Sequence, residues 1–148
     1  MFFSRNDRIS EEAGFMRKVI ALCSTLTLLS LYSCTPMTGV VKNAKVEKIA
    51  SEIYSEEDIN EAIDVIEKYF VEEFNGCRLE KIAYAGDETT NRESQYYNEE
   101  LIVLISDFYV YPEGGDGSLL TDYTYTDWNW ILEKTPDGNW EHKTHGYG

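Results

Sequence analysis

The chain is short and strongly acidic, with 148 residues, 27 acidic and 13 basic side chains and a formal net charge of −14. This length supports one domain, and the acidity excludes nucleic-acid binding through the overall field. From Cys34 onward, 24 acidic and nine basic side chains give a formal charge of −15. Such a body either serves solubility alone or presents an acidic surface to a cationic ligand or partner.

A secretion signal is predicted near the N-terminus, over residues 16–33. It begins with the basic segment Met16-Arg17-Lys18 and continues as a run of apolar and small hydroxyl residues. Counted through Tyr32, the run has 14 residues, fewer than the ~20 that cross a bilayer as a helix. Residues 1–15 contain two glutamates that no signal needs, so we expect this leader to be untranslated or dispensable. A real extended leader is the alternative.

The end of the signal, Leu31-Tyr32-Ser33-Cys34, resembles the lipobox of bacterial lipoproteins. The resemblance implies cleavage between Ser33 and Cys34 and attachment of a diacylglycerol group to the Cys34 thiol. The protein would then be anchored in the cell membrane by lipid and would face outside the cytoplasm. An ordinary cleaved signal and a hydrophobic helix are the alternatives. With Cys23 removed and Cys34 acylated, Cys77 remains alone and is predicted to be a buried apolar side chain; a reactive thiol and an intermolecular disulfide are the alternatives.

Residues 34–54 are predicted to be the lipid anchor and a tether. Thr35 to Asn43 contains a proline, a glycine and small residues, which is typical of a flexible linker. Helical spacing of Val46, Ile49, Ala50 and Ile53 suggests a short helix after it.

The globular domain is predicted over residues 55–148 and begins with a helix. Ser55 can cap the first turn, and the acidic residues after it lie at the positive end of the helix dipole. Asn75-Gly76 supplies the stop. The side chains expected on one broad apolar face are Ile59, Ala62, Ile63, Val65, Ile66, Tyr69, Phe70 and Phe74.

The middle of the chain is predicted to contain two strands separated by a loop. Arg78 to Tyr84 is a short strand, whereas the polar stretch Ala85 to Asn98 is predicted to be a long exposed loop. Glu99 to Tyr111 contains a continuous apolar run, which indicates a central strand covered on both faces. Residues 112–118 then break the strand with proline and glycine.

The last stretch, Tyr123 to Gly148, predicts a long hairpin that contains all three tryptophans of the chain. It reverses at Thr135-Pro136-Asp137-Gly138, which is typical of a three-residue loop with a bulge. Strict alternation gives the first strand two faces. One face has Thr124, Thr126, Trp128, Trp130 and Leu132; the other has Tyr123, Tyr125, Asp127, Asn129 and Ile131.

These elements predict an α+β domain with one main helix packed on a curved antiparallel sheet of about four strands. The architecture resembles the cystatin-like and NTF2-like group, in which a sheet partly encloses a helix. Ser106-Asp107-Phe108, the glycine-rich stretch at 114–118, Trp128 to Leu132 and His145 to Gly148 also look like segments of small uncharacterised lipoproteins of Gram-positive bacteria. This resemblance implies a location and a fold, and no activity or functional residues.

A three-residue loop fixes the register of the predicted hairpin. It places Trp128 opposite Gly146, Trp130 opposite Thr144, Asn129 opposite His145 and Asp127 opposite Tyr147. Asp127 and His145 would share a face, which makes them weak candidates for acid–base catalysis; a structural histidine is the alternative. No nucleophile with a partner is identified.

No metal site or cofactor is predicted. His142 and His145 are expected on opposite faces of one strand, and the glycines at 114–117 lack the acidic spacing of a calcium loop. Aromatic residues are the remaining binding candidates, namely Tyr123, Tyr125, Trp128, Trp130 and Tyr147. Cross-strand pairs that only stabilise the sheet are the alternative.

The function predicted from these features is a lipid-anchored binding module for a small ligand, a cell-wall component or an envelope protein. The absence of a catalytic motif argues against an enzyme. An inhibitor or immunity-like interaction protein is the alternative, and a small acid–base enzyme is a weaker one. An open sheet face would also allow a homodimer.

Overall fold

The computed structural model describes residues 37–147, so the predicted leader, signal peptide and Ser33-Cys34 cleavage site lie outside the described residues. Two helices, α1 and α2, and five strands, β1 to β5, make up the described part. In chain order they are β1 (Lys45–Glu47), α1 (Glu56–Glu73), β2 (Cys77–Tyr84), α2 (Asp87–Tyr97), β3 (Leu101–Val110), β4 (Tyr123–Lys134) and β5 (Trp140–Gly146). Within this range no helix combines the length and apolar character needed to cross a membrane.

Helix α1 begins where the sequence predicts. Ser55 accepts a hydrogen bond from the Asp58 backbone N–H, and the Asp58 carboxylate accepts one from the Ser55 N–H, which completes a capping box. Phe74 closes the helix, and Gly76 follows with a φ of 65° that glycine adopts without strain. The predicted apolar face is confirmed, since its central members are all buried in the core: Ile59, Ala62, Ile63, Ile66, Phe70 and Phe74.

The strands form one open sheet in the order β1-β2-β3-β4-β5. Strand β1 pairs with β2 in parallel, and the other neighbours are antiparallel. Helix α1 connects the two parallel strands, as a parallel pair requires. The short helix expected from the spacing of Val46 to Ile53 is therefore not formed, because Lys45–Glu47 pairs with β2 instead.

The segment expected to be a flexible tether packs on the domain from Met37 onward. The Gly39 N–H donates to the Val71 carbonyl at 3.1 Å, and Val40 bridges to Arg78 beside β1. A Cβ at position 39 would lie 2.0 Å from the Phe70 carbonyl oxygen. Glycine thus allows this segment to lie directly against the end of α1.

Strand β3 is covered on both faces, as its apolar run predicts. Ile102 and Leu104 face α1. On the opposite face, the side chains of Leu101 and Val103 are at most 1% exposed. The cover on this second face is α2, where the sequence had predicted an exposed loop. Buried Thr90 of α2 accepts the Val103 N–H at 3.3 Å, which fixes the helix on the strand.

The hairpin of β4 and β5 is confirmed, and its register follows the prediction as far as the pair Leu132 and His142. A bulge at Lys143 then shifts the pairing by one residue. Trp130 therefore lies opposite His145, where the sequence had predicted Thr144, and Asn129 lies opposite Gly146.

A second bulge changes the faces of β4. Phe108 pairs with Tyr125 and Ser106 with Trp128, so two β4 residues oppose Asp107 alone. Asp127 adopts a φ of 53° at this point. Tyr125 therefore lies on the core side of β4, together with Trp128 and Trp130. Strict alternation had placed Tyr125 on the other face.

The predicted fold class, α+β, is confirmed. The expectation of one helix on four antiparallel strands differs from the structure, which has two helices on a mixed sheet of five strands. The difference has two causes: the first strand is only three residues long and lacks alternation, and α2 buries few of its side chains.

Candidate functional site

The predicted aromatic binding residues have different surroundings in the structure. Tyr123 and Tyr147 are 46% and 60% exposed, whereas Trp130 is fully buried and Tyr125 nearly so. The Trp130 indole N–H donates to the Ser106 hydroxyl at 2.8 Å. Trp128 is partly buried at the margin of the core. Of the three side chains that pack inward, Trp128 alone borders an open cleft.

The acid–base pair predicted from Asp127 and His145 is not assembled. The bulge turns Asp127 outward, and its backbone N–H donates to the Asp107 carboxylate at 3.1 Å. His145 lies on the other face of the sheet, where it is the cross-strand neighbour of Trp130. No hydrogen bond joins it to Asp127. The cause is the bulge at Lys143, because it moves His145 from the face of Asn129 to the face of α1.

The same bulge brings the two histidines together, contrary to the prediction that they point apart. His145 Nδ1 lies 3.1 Å from His142 Nε2, so one ring can donate a hydrogen bond to the other. Tyr69 of α1 packs against His142 with ring centroids 4.1 Å apart and a tilt of 32° between the ring planes. Burial lowers the pKa of both rings below the ordinary value, and the proximity of His145 lowers the pKa of His142 further.

Beside this pair lies a cleft of about 320 Å³, which we call the aromatic cleft. Its walls come from the end of α1, the start of β2, the 115–119 loop and the β4–β5 hairpin. The residues that line it are Tyr69, Glu73, Phe74, Asn75, Cys77, Gly115, Asp116, Ser118, Leu119, Trp128 and His145. Its volume lies in the range of small-molecule sites, which begins at roughly 300 Å³.

Two glycines position the loop that forms one wall of the aromatic cleft. A Cβ at Gly114 would lie 2.0 Å from the Gly76 carbonyl oxygen, so the two backbones touch without side chains between them. The Gly115 N–H donates to the Asn75 carbonyl at 2.7 Å, which fixes the contact. This contact places Asp116 beside the end of α1.

The carboxylate of Asp116 is ionised at neutral pH. Its oxygen accepts hydrogen bonds from the side chain and the backbone N–H of Ser118, and these lower the pKa of Asp116. On the α1 side, burial and the nearby Glu73 carboxylate raise the pKa of Tyr69, so the phenol stays neutral. The rim of the cleft is thus anionic, and its walls are neutral aromatic rings.

Cys77 lies at the base of the cleft as a fully buried thiol, which confirms the prediction of a buried side chain. Burial raises the pKa of Cys77 to about 11. A thiol in this state is a poor nucleophile, because the thiolate is the reactive form.

A groove of about 390 Å³ borders the first half of α1 on the other side of the domain. Its walls are mainly aliphatic, and its charged groups are already paired, Lys48 with Glu56 and Glu47 with Lys45. Across residues 37–147, no group of three or more His, Cys, Asp or Glu side chains is arranged to hold a metal ion. The aromatic cleft differs from this groove because it combines several aromatic rings with two carboxylates, Glu73 and Asp116, that have no Lys or Arg beside them in the described lining.

The sequence did not identify Tyr69, Glu73, Phe74 or Asp116 as site residues. The first three belong to the end of a helix whose apolar face predicts packing alone, and the cleft depends on where that end meets the 115–119 loop. The nearest signal in the sequence was the pair of glycine-containing turns, Asn75-Gly76 and Gly114-Gly115, which come together here.

No protein-family model, no curated protein and no solved structure matches this chain. The resemblance to small lipoproteins and to the cystatin-like and NTF2-like group therefore stays a prediction from the sequence.

Proposed function

We propose that this chain is a small-molecule-binding module that a lipid anchor holds outside the cytoplasm, with the aromatic cleft as its binding site. The observation that supports binding is the cleft itself, where aromatic walls meet an anionic rim in a volume of about 320 Å³. Binding sites for small molecules typically combine such apolar walls with a few polar groups that fix orientation.

The way Trp128 is held also supports this proposal. Its Nε1 is buried and has no hydrogen-bond partner among the residues that the structure describes. Packing against Phe108, Tyr125 and Tyr147, with ring centroids 5.2–5.5 Å apart, is what holds this indole in place. Such a side chain can adjust to a ligand at a smaller cost than Trp130, whose indole would lose a hydrogen bond.

Ligand binding can be tested by following tryptophan fluorescence while the full chain, purified in detergent, is titrated with a panel of compounds. The panel comprises muropeptides, neutral saccharides, amino acids and amines. We expect a saturable change with at least one class. Ser118→Tyr places a large side chain at the cleft and should weaken that binding at least about tenfold, equivalent to about 1.4 kcal/mol.

Tyr96→Ala is the matched control, because Tyr96 is 79% exposed on α2 and does not line the cleft. This variant should bind like the natural chain. Absence of binding by every compound in the panel, or equal binding by the Ser118→Tyr variant, would contradict a binding site in the cleft. Unchanged melting temperatures for both variants establish that the fold is intact.

The anchor is proposed from Cys34 and the signal before it, and it has its own test. The chain is expressed in a Gram-positive host supplied with an alkyne-labelled fatty acid, and the label on the purified protein is measured. Cys34→Ser should abolish labelling, whereas Cys23→Ser should retain it, because Cys23 leaves with the signal. Labelling that survives Cys34→Ser would refute anchoring through this residue.

A further inference from the structure

We infer that the ligand of the aromatic cleft contains an organic cation, an alkylammonium or guanidinium group that contacts the aromatic walls and is neutralised by Glu73 and Asp116. This inference rests on the proposed function and names the ligand class of the same site. Three observations support it: the arrangement of the rings, the sign of the charges at the rim, and the neutral state of the imidazole in the wall.

The walls present rings from two elements to one space. Tyr69 and Phe74 lie at the end of α1 with centroids 6.4 Å apart, and Trp128 lies on β4. His145 packs between these rings, with its centroid 5.7 Å from Tyr69, 5.4 Å from Phe74 and 5.9 Å from Trp128. All four side chains line the cleft, so a ligand there would contact them from the cleft side of the imidazole. The faces of such rings are electron-rich and attract cations within about 6 Å, and tryptophan does so most strongly.

The charges at the rim have one sign. Glu73 and Asp116 are both exposed at the cleft, and among the described residues that line it none is Lys or Arg. An anionic ligand would meet two carboxylates without a compensating cation, whereas a cationic ligand would form ion pairs with them. A neutral ligand would use the rings and leave the rim charges without a role in selection.

The histidine in the wall does not reverse this sign. The Nδ1 of His145 lies 3.1 Å from His142, and the two rings are enclosed by Tyr69, Phe74 and Trp130. Protonation of both rings would place two positive charges at this distance in a partly desolvated space, which is unfavourable. At neutral pH the pair therefore adds no positive charge to the cleft.

The experiment compares cations with a neutral compound of the same shape. Choline and agmatine are titrated into the full chain by calorimetry, and 3,3-dimethyl-1-butanol serves as the uncharged isostere of choline. We expect at least one cation to bind, and choline to bind about tenfold more tightly than its isostere, as expected for cation–π contacts combined with ion pairing. Glu73→Gln and Asp116→Asn should each weaken binding of the cation about threefold or more.

Two control variants separate the cleft from the overall field. Glu141→Gln removes one negative charge from an exposed side chain on β5 that does not line the cleft, and it should leave the affinity unchanged. Trp128→Phe should retain more of the affinity than Trp128→Leu, because an aromatic face remains. If Glu141→Gln weakens cation binding as much as Glu73→Gln does, the overall field and not the cleft selects the cation, and recognition within the cleft is overturned.

The outcomes also distinguish this inference from the proposed function. Equal binding of choline and its isostere, or failure of both cations while a neutral saccharide or muropeptide binds, overturns the cation and leaves the binding module standing. Failure of every compound, including the wider panel, overturns both. Salt dependence gives a further check, since ion pairs at an exposed rim weaken as ionic strength rises.

Discussion

The two tryptophans on β4 differ in the surroundings of their indole N–H groups. Trp130 and Ser106 are both fully buried, and the hydroxyl oxygen accepts the indole N–H at 2.8 Å. Each group satisfies the other, as buried polar atoms in proteins generally require. Trp128 has no such partner among the described residues and lies at the edge of the cleft.

Ser106→Ala should therefore destabilise the fold. The substitution leaves the Trp130 N–H buried without an acceptor, which costs about 1–3 kcal/mol. Urea unfolding of the purified chain, followed by tryptophan fluorescence, measures this change. Ser118→Ala is the control, because it removes a hydroxyl from an exposed position and should change stability by less than about 0.5 kcal/mol. Equal stability of Ser106→Ala and the natural chain would show that the hydrogen bond contributes nothing.

At the scale of elements, the pattern of apolar residues predicted the segments whose apolar side chains are buried. Helix α1 and strand β3 are of this kind, and both formed where the sequence placed them. Helix α2 is different, because Thr90 is its one buried residue and its other side chains are polar. Its stability depends on tertiary contacts that a pattern cannot show. Among them, the Asp87 carboxylate accepts hydrogen bonds from Ser51 Oγ and the Tyr84 hydroxyl.

The site was harder to predict than the strands that contain it, because bulges decide which side chains meet. One extra residue at Lys143 turns His145 toward α1, and the bulge at Asp127 turns Tyr125 inward. Alternation assumes two residues per repeat, so every assignment beyond a bulge changes face. The turn chemistry at Pro136 to Gly138 fixed the register correctly only as far as the bulge.

At the scale of the whole molecule, the few basic side chains are largely engaged. Lys143 pairs with Glu99 and Glu133 at 2.7 Å each, and Lys81 pairs with Asp107 at 2.8 Å. These pairs lie on or beside the sheet and away from the aromatic cleft. The cleft carboxylates Glu73 and Asp116 have no Lys or Arg beside them in the described lining, and they would attract a cationic ligand over a distance of about 10 Å at moderate salt.

The paired histidines make stability depend on pH in a range where few other side chains titrate. The other titratable groups that line the cleft beside His145 are Glu73, Asp116, Tyr69 and Cys77, and burial keeps the phenol and the thiol neutral. Burial lowers the pKa of both His142 and His145 below the ordinary value. In mildly acidic solution the unfolded chain thus binds more protons than the folded chain, and acid favours unfolding.

The free energy of unfolding should accordingly be fully retained above about pH 6.5 and fall as the pH is lowered toward 5. Carboxylates with lowered pKa, such as Asp58 and Asp87, add their own loss only at lower pH, below about 4. Urea unfolding across pH 5–8 measures the profile for the natural chain and for the double variant His142→Gln, His145→Gln.

The double variant should be flatter between pH 7 and 5, because it lacks the two imidazoles that take up protons on unfolding in that window. Relief of repulsion among the excess carboxylates acts on both proteins alike, so the difference between the two profiles isolates the histidines. Parallel profiles would mean that both rings titrate in the folded chain as they do in water. That result would contradict the structure, in which both imidazoles are partly buried and His142 packs against Tyr69 with ring centroids 4.1 Å apart.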